Sequence, residues 1–141
     1  EKAPFGVFFD SDKKDIFISN VQSNSISVIN SNTLKLFKNI KVGKWPYQVA
    51  FDDKNGKIFV TNQRGNSISV INSNTLKVTK TISDLCEYPE GIDIDYDRSL
   101  ILVACWFDDE VAILNLLDYN LIKKISVSGG PRAFGSFILN N

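Results

Sequence analysis

Short apolar runs separated by polar turns fill the whole chain. Runs such as Ile16-Phe17-Ile18 and Ile58-Phe59-Val60 are apolar on successive residues. They are too short for ordinary helices, and no window of about eleven residues keeps a helical apolar face. Successive residues of a strand point to opposite faces, so this pattern indicates strands that are buried on both sides. The sequence therefore predicts an all-β protein.

The runs belong to an internal repeat. Residues 24–35 read N-S-I-S-V-I-N-S-N-T-L-K, and residues 66–77 repeat them without a change at an offset of 42. A degenerate third copy begins at Asp109. The prolines keep the same spacing, at Pro4, Pro46, Pro89 and Pro131. Each period holds four short runs joined by turn residues, which predicts a four-stranded antiparallel meander of about 42 residues.

A period of about 40–45 residues with four strands is typical of a β-propeller blade. The predicted fold class is all-β, a propeller segment of four-stranded antiparallel blades that is completed by other blades or chains. We divide the chain into blade 1 (1–45), blade 2 (46–88), blade 3 (89–130) and the first strand of a further blade (131–141).

Three stretches also resemble the YVTN β-propeller repeat: Ile58-Phe59-Val60-Thr61-Asn62, then Asn66-Ser67-Ile68-Ser69-Val70-Ile71-Asn72, and Val42-Gly43-Lys44-Trp45-Pro46. The resemblance is strongest in blade 2 and weakest in blade 3, where Cys105 replaces the Asn of the motif. It implies a propeller fold and a protein that is secreted or exposed at the cell surface. Functions diverge widely within the family, so the resemblance implies little about chemistry.

Three blades and one strand do not make a closed ring, because propellers close with about four to eight blades. We expect the partners to be further blades, either from a longer chain of which this is a fragment or from another subunit. A ring of two identical chains is disfavoured, because each terminal strand would compete with the first strand of the partner copy. The chain begins at Glu1 without Met, which fits a removed leader or an excised piece.

The net charge and the residue composition limit the classes of partner and of chemistry to expect. The chain has 16 basic and 16 acidic side chains, but residues 1–83 carry a net charge of +6, residues 84–118 of −9 and residues 119–141 of +3. Net neutrality gives no reason to expect a nucleic acid partner. No apolar stretch approaches the roughly 20 residues of a membrane-spanning helix. The chain has no His, which removes the commonest general base and metal ligand.

One face of the blades collects recognition-type side chains. Strand alternation places the loops between blades and the loops between second and third strands on the same face. Aromatic and Arg residues dominate interface hot spots. The predicted binding residues are Trp45, Tyr47, Arg64, Tyr88, Trp106, Phe107 and Asp108. The alternative is that Trp45 and Trp106 are wedges that pack between blades, since propellers need bulky residues there.

Cys86 and Cys105 both fall on this face, Cys86 in the loop that leads into blade 3 and Cys105 at the end of the second strand of that blade. Their placement is compatible with the Cα separation limit of about 7 Å for a disulfide. A disulfide would fit an extracellular, cell-surface or periplasmic protein. Two independent thiols remain the alternative.

The only carboxylate cluster with ligand-like spacing is Asp93-x-Asp95-x-Asp97. The Gly and distal Glu of a calcium loop do not follow it, so no metal site is predicted. Asp95 and Asp97 match turn residues of the other repeats, whereas Asp93 stands where Phe8 and Ala50 stand. No nucleophile or phosphate-loop motif occurs, and the sequence predicts neither a catalytic residue nor a cofactor.

These observations favour a non-catalytic binding or scaffold module that presents the inter-blade face to a protein, peptide or glycan. A second hypothesis is a segment of a propeller enzyme or redox-enzyme subunit whose catalytic residues lie on other blades. A third is a structural role in a surface layer, where repetition itself is the function.

Overall fold

The computed structural model describes residues 1–138, which form three four-stranded antiparallel sheets. Blade 1 comprises β1 (Pro4–Asp10), β2 (Asp15–Asn20), β3 (Ser25–Asn30) and β4 (Lys35–Lys41). Blade 2 comprises β5 (Pro46–Asp52), β6 (Lys57–Asn62), β7 (Ser67–Asn72) and β8 (Lys77–Ser83). Blade 3 comprises β9 (Pro89–Asp95), β10 (Leu100–Cys105), β11 (Glu110–Asn115) and β12 (Leu121–Ser126). The predicted all-β class and the four-stranded meander are confirmed.

The first turn of each blade is closed by an aspartate that ends the first strand. The Oδ1 atoms of Asp10, Asp52 and Asp95 accept the backbone N–H of the residue three positions later, at 3.1, 3.2 and 2.9 Å. A side-chain oxygen that satisfies a turn N–H in this way favours a tight reversal of the chain. The repeated Asp therefore fixes where the first hairpin of each blade turns.

Blade 2 is buried on both faces, as the successive apolar residues predict. Ile58 and Val60 belong to the apolar core shared with blade 1, where they lie with Phe17. Phe59, between them in sequence, belongs to the core shared with blade 3, together with Val103. All five side chains are fully buried. Burying this apolar surface between sheets is the main force that holds the blades together.

Hydroxyl groups join the second strand of one blade to the first strand of the next. In blade 1, Ser19 Oγ donates to the carbonyl of Tyr47 at 2.7 Å. In blade 2, Thr61 Oγ1 donates to the carbonyl of Glu90 at 2.8 Å. Blade 3 has Ala104 at this position, so it lacks the hydroxyl that would reach the segment that follows.

Residues 131–138, predicted to begin a further blade, form no strand. Ala133 nevertheless lies against β9, since a Cβ at Gly91 would be 2.7 Å from it. The chain also leaves blade 3 as it leaves blade 1: Val127 N–H donates to Asp109 O, as Val42 N–H donates to Asn24 O. A strand needs a ladder partner, and residues 1–138 offer none at this place. Residues 139–141 of the predicted strand lie outside the described residues.

The outer face of blade 1 carries apolar side chains with no sheet against them in residues 1–138. Val7 is 64% exposed and Phe9 is 49% exposed. They pair across the first hairpin with Ile18 and Ile16, which places all four on one face of the sheet. This is the exposed apolar end that an unclosed stack of blades is expected to have.

Candidate binding face

The loops between blades and the loops between second and third strands do lie together. Gln63 N–H donates to the carbonyl of Trp45 at 2.8 Å, and Trp106 N–H donates to the carbonyl of Tyr88 at 3.1 Å. Each of these bonds joins the two kinds of loop. The face on which we predicted the binding residues is therefore one continuous surface.

The residue before each proline is held in a left-handed conformation. Trp45 has a φ of 56° and Tyr88 a φ of 51°. Bulky residues rarely adopt this region, so the surrounding structure must hold them there. The Oδ1 atoms of Asn24 and Asn66 do so by accepting the N–H groups of Trp45 and Tyr88, at 2.9 and 3.2 Å. The repeat backbone thus fixes the direction of both aromatic side chains.

In blade 2, the Arg64 guanidinium stacks on the Trp45 indole. Its Cζ atom lies 3.6 Å from the ring centroid, well inside the range of a cation–π contact. Arg64 is exposed and Trp45 is half-buried. The Trp45 ring therefore packs beneath a side chain of the same face, which combines the two roles between which the sequence did not decide.

In blade 3, three predicted residues form an aromatic cluster. The Tyr88 ring lies 5.8 Å from Trp106 and 5.6 Å from Phe107, and the Trp106 and Phe107 centroids are 6.3 Å apart. Phe107 is 63% exposed. The Arg132 guanidinium lies 4.6 Å from the Trp106 centroid on the same cluster. We call the set Trp45, Arg64, Tyr88, Trp106, Phe107 and Arg132 the aromatic strip.

A buried charge beside the strip was not among the predicted site residues. Glu90 is fully buried, and its Oε1 atom accepts a hydrogen bond from Gln63 Nε2. Its Oε2 atom lies 3.4 Å from Arg132 Nε and has no hydrogen-bond partner in residues 1–138. Alignment of the repeats could have singled out Glu90, because Phe5 and Tyr47 occupy its position in the other blades.

Tyr47 belongs to a different aromatic group from the strip. Its ring stacks on Phe5 at 4.1 Å, with Phe134 5.8 Å from Phe5 and 6.5 Å from Tyr47. Burial raises the pKa of Tyr47, the Glu90 carboxylate raises it further, and the Arg132 guanidinium opposes both. Tyr47 therefore lies near the Glu90–Arg132 pair without contacting the exposed rings of the strip.

Asp108 is committed to local contacts. Its Oδ2 atom accepts the Glu87 N–H at 3.0 Å and lies 4.0 Å from Lys124 Nζ. Lys124 is closer to Glu110, at 3.3 Å. Asp108 is the only carboxylate among the seven predicted binding residues, and one of its oxygens is already used by contacts within the fold.

Cys86 and Cys105 are joined in a disulfide, with their Cα atoms 5.8 Å apart. The bond connects the loop before blade 3 to the end of β10. Cys86 is two residues before Tyr88, and Cys105 directly precedes Trp106. It fits an oxidising compartment. No helix within residues 1–138 is long and apolar enough to cross a membrane.

The three aspartates of blade 3 have separate partners. Arg98 donates to both Asp95 oxygens, and its hydrogen bonds lower the pKa of that carboxyl. Asp93 Oδ2 instead accepts Ser136 Oγ at 2.9 Å and the backbone N–H of Ile138 at 2.8 Å, which ties the terminal segment to β9. Asp97 lies in the turn after β9. Across residues 1–138, no group of three potential ligand side chains has the geometry of a metal site.

No family model matches the sequence, and no curated protein matches it. The structure is similar to Kuenenia stuttgartiensis hydrazine synthase, with a TM-score of 0.82 and 23% identity over 94% of this chain and 39% of that one. It is also similar to dihydro-heme d1 dehydrogenase NirN in complex with DHE, with a TM-score of 0.70 and 14% identity over 91% of this chain and 29% of that one.

These neighbours are propeller-fold proteins, and the chain spans well under half the length of either. The predicted propeller segment is thereby confirmed as a fold. Identities this low carry the fold alone, since one propeller architecture serves many unrelated functions.

Proposed function

We propose that this chain is a segment of a YVTN-like β-propeller that acts as a non-catalytic binding module. It presents the aromatic strip to a protein, peptide or glycan partner. The observation that carries the proposal is the strip itself. Two exposed guanidinium groups and the exposed Phe107 ring lie with half-buried Trp45, Tyr88 and Trp106 on one face, and repeat hydrogen bonds hold the backbone of Trp45 and Tyr88. Trp, Tyr and Arg side chains in such settings supply most of the energy of recognition.

The proposal includes further blades as partners, from the same longer chain or another subunit. The exposed apolar face of blade 1 and the length of the structural neighbours support this. A disulfide supports an extracellular, cell-surface or periplasmic location.

The test is a binding screen of the whole chain on immobilised peptide and glycan arrays, with a strip variant beside it. The double variant Arg64→Ala/Phe107→Ala should abolish any specific signal, because it removes two of the three exposed groups of the strip, one each from blades 2 and 3. Leu117→Ala is the matched control: it removes a side chain that is 73% exposed, from the turn between β11 and β12 of the same blade. Equal loss with both variants, or no loss with the double variant, would contradict the proposal.

The second candidate function is a segment of a propeller enzyme or redox-enzyme subunit. It is favoured by the names of the two structural neighbours, a hydrazine synthase and a dehydrogenase. The chain has no His, so catalytic chemistry that relies on His would need residues of other blades. Co-purification of the natural full-length protein with a coloured cofactor would favour this candidate over the binding module.

A further inference from the structure

Both tryptophans of the chain carry an arginine on their rings, and the three Arg residues divide accordingly. Arg64 lies on Trp45 and Arg132 on Trp106. Arg98 lies in the turn after β9, where Asp95 pairs with it at 2.7 Å. The two arginines of the strip therefore differ from the third in lying on aromatic rings; Arg132 also faces buried Glu90, whereas Arg98 pairs with Asp95 alone.

The donor groups of these two arginines remain available. Arg64 makes no side-chain hydrogen bond within residues 1–138, and Arg132 faces Glu90 through Nε alone. The Nη atoms of both have no partner among those residues. A guanidinium presents its donors as a rigid planar fork, which matches the two oxygens of a carboxylate.

Glu90 is the residue of the fold that favours a defined position of the Arg132 guanidinium. A buried ion pair contributes little stability compared with apolar residues of similar size. The other blades place aromatic side chains, Phe5 and Tyr47, at the position of Glu90. The fully buried Glu90 carboxylate places a negative charge 3.4 Å from Arg132 Nε, which favours one position of the guanidinium and uses neither of its Nη atoms.

We propose, as a refinement that rests on the proposed function, that Arg64 and Arg132 are paired recognition groups for side-chain carboxylates of an acidic peptide segment. Apolar side chains of that segment contact Tyr88 and Phe107. Glu90 is the positioning residue for Arg132.

The charges around the strip favour a peptide with separate carboxylates over a dense polyanion. Glu87 is exposed beside the strip, and Asp108 and Asp109 lie in the loop that follows Phe107. Asp109 accepts the Gly130 N–H at 2.7 Å and Asp108 accepts the Glu87 N–H. These carboxylates would repel a polymer that is charged at every unit, whereas isolated Glu or Asp side chains can reach the two guanidinium groups and avoid them.

The experiment uses the whole chain and a panel of capped synthetic peptides. Each peptide has two Glu residues separated by one to six residues that include Leu and Phe, and each has a counterpart with Gln in place of Glu. Binding is followed by tryptophan fluorescence, because both indoles lie beneath the proposed contact points, and by calorimetry. At least one Glu peptide should bind at least about tenfold more tightly than its Gln counterpart, since hydrogen bonds to charged groups are the stronger ones.

Variants locate the contact. Arg64→Ala and Arg132→Ala should each remove most of the preference for Glu over Gln, and Arg132→Lys should not restore it, because an ammonium lacks the fork. Glu90→Gln should reduce the preference for Glu peptides while the melting temperature stays within a few degrees. A lower melting temperature with an unchanged preference would show that Glu90 is only structural and would overturn its positioning role.

The remaining outcomes separate this inference from the proposed function. Equal binding of Glu and Gln peptides, lost in Arg64→Ala/Phe107→Ala, would overturn the carboxylate inference and leave the binding module standing. Binding of an oligouronate and of none of the peptides would overturn the assignment to a peptide. Failure of every array and panel ligand would overturn both.

Discussion

In blades 2 and 3, different chemistry fixes the loop that enters the blade to the end of its second strand. We call this contact the joint of the blade. In blade 2, Asn62 Nδ2 donates to Ser67 Oγ and Ser69 Oγ at 3.2 and 3.0 Å, and its side chain fills the space over Gly43. In blade 3, the positions of Gly43 and Asn62 are taken by the bonded pair Cys86 and Cys105, 19 residues apart as Gly43 and Asn62 are.

The difference shows that all the residues of the joint change together from one blade to the other. The two serines supply the acceptors that buried Asn62 Nδ2 needs, whereas Asn62 Oδ1 has no hydrogen-bond partner in residues 1–138. Blade 3 has Glu110 and Ala112 where blade 2 has those serines. A disulfide constrains the same two segments by connectivity and needs no hydrogen-bond partners, which frees both positions for other side chains.

The largest effect is expected from breaking the blade 3 joint. The double variant Cys86→Ser/Cys105→Ser should lower the free energy of unfolding by about 3 kcal/mol, because the bond closes a loop of about 20 residues in the unfolded chain. Urea unfolding of the variant and of the oxidised wild type measures the difference. A loss below about 1 kcal/mol would show that the bond does not constrain the unfolded chain in this way.

The control for this variant introduces the disulfide at the equivalent positions of blade 2. The double variant Gly43→Cys/Asn62→Cys places two thiols at the same separation, and a thiol count under denaturing conditions should find them bonded. The gain in stability should be smaller than the loss in blade 3, because Ser67 and Ser69 lose their donor and a Cβ at Gly43 would lie 2.9 Å from the Asn62 Cβ.

The second effect is the loss of the blade 2 network. Asn62→Ala should destabilise the protein by about 2 kcal/mol, because it removes the donor to the buried Ser67 hydroxyl and leaves Ser69 Oγ with only the Gly43 N–H, at 3.4 Å. Asn20→Ala is the matched variant in blade 1, where Asn20 Nδ2 donates to Ser27 Oγ at 2.8 Å. Comparable losses in thermal unfolding are expected, and an unchanged melting temperature in either variant would refute the role of the network.

The third effect concerns the hydroxyl that blade 3 lacks. Ala104→Ser should stabilise the protein by about 1 kcal/mol if the new hydroxyl reaches residues 131–138 as Thr61 reaches Glu90. Hydrogen exchange should show slower exchange in the terminal segment. Thr61→Ala, the reverse change in blade 2, should cost a similar amount. Stabilisation without a change in exchange would place the benefit elsewhere.

The smallest effect extends the comparison to blade 1. Asp10 pairs directly across the first hairpin with Asp15, whereas Asp52 pairs with Lys57 in blade 2. Like charges in such a pair are destabilising, so Asp15→Asn should raise the free energy of unfolding at pH 7 by up to about 1 kcal/mol.

The stability difference between Asp15→Asn and the wild type should depend on pH, in a direction that the pKa of Asp15 determines. Burial and then the neighbouring Asp10 carboxylate raise the pKa of Asp15 above its ordinary value of 3.8. The folded state then binds the proton more tightly than the unfolded state, so the Asp15 contribution to stability falls as the pH rises from about 3.8 through the raised folded pKa. The advantage of Asp15→Asn should therefore vanish below pH 3, and an advantage that persists there would show that charge is not its cause.

The fold could be predicted because several independent features of the sequence follow the same repeat. The spacing of the prolines, the Asp at the end of each first strand and the runs apolar on both faces all indicate the same four-stranded unit. The terminal segment shows the limit. Residues 131–138 carry a strand pattern, but strand formation depends on a pairing partner that local sequence cannot supply.

The candidate site could be predicted only in part. Strand alternation placed Trp45, Arg64, Tyr88 and Trp106 on one face, because loop side follows from topology. It gave no sign that Arg132, 26 residues beyond Trp106, would lie on its ring. Nor could it separate Tyr47 from the strip, since the direction of a side chain at the start of an inner strand depends on its neighbours in other blades.

By itself, the sequence determined the blade: its length, its four strands, its turns and the face on which its aromatic residues emerge. These follow from local periodicity and turn chemistry, which act over a few residues. Only the tertiary structure decided which groups meet between blades: Glu90 with Gln63 and Arg132, Cys86 with Cys105, and Asp93 with the terminal segment. These contacts join residues from different strands and loops, and they exist only once the sheets have packed.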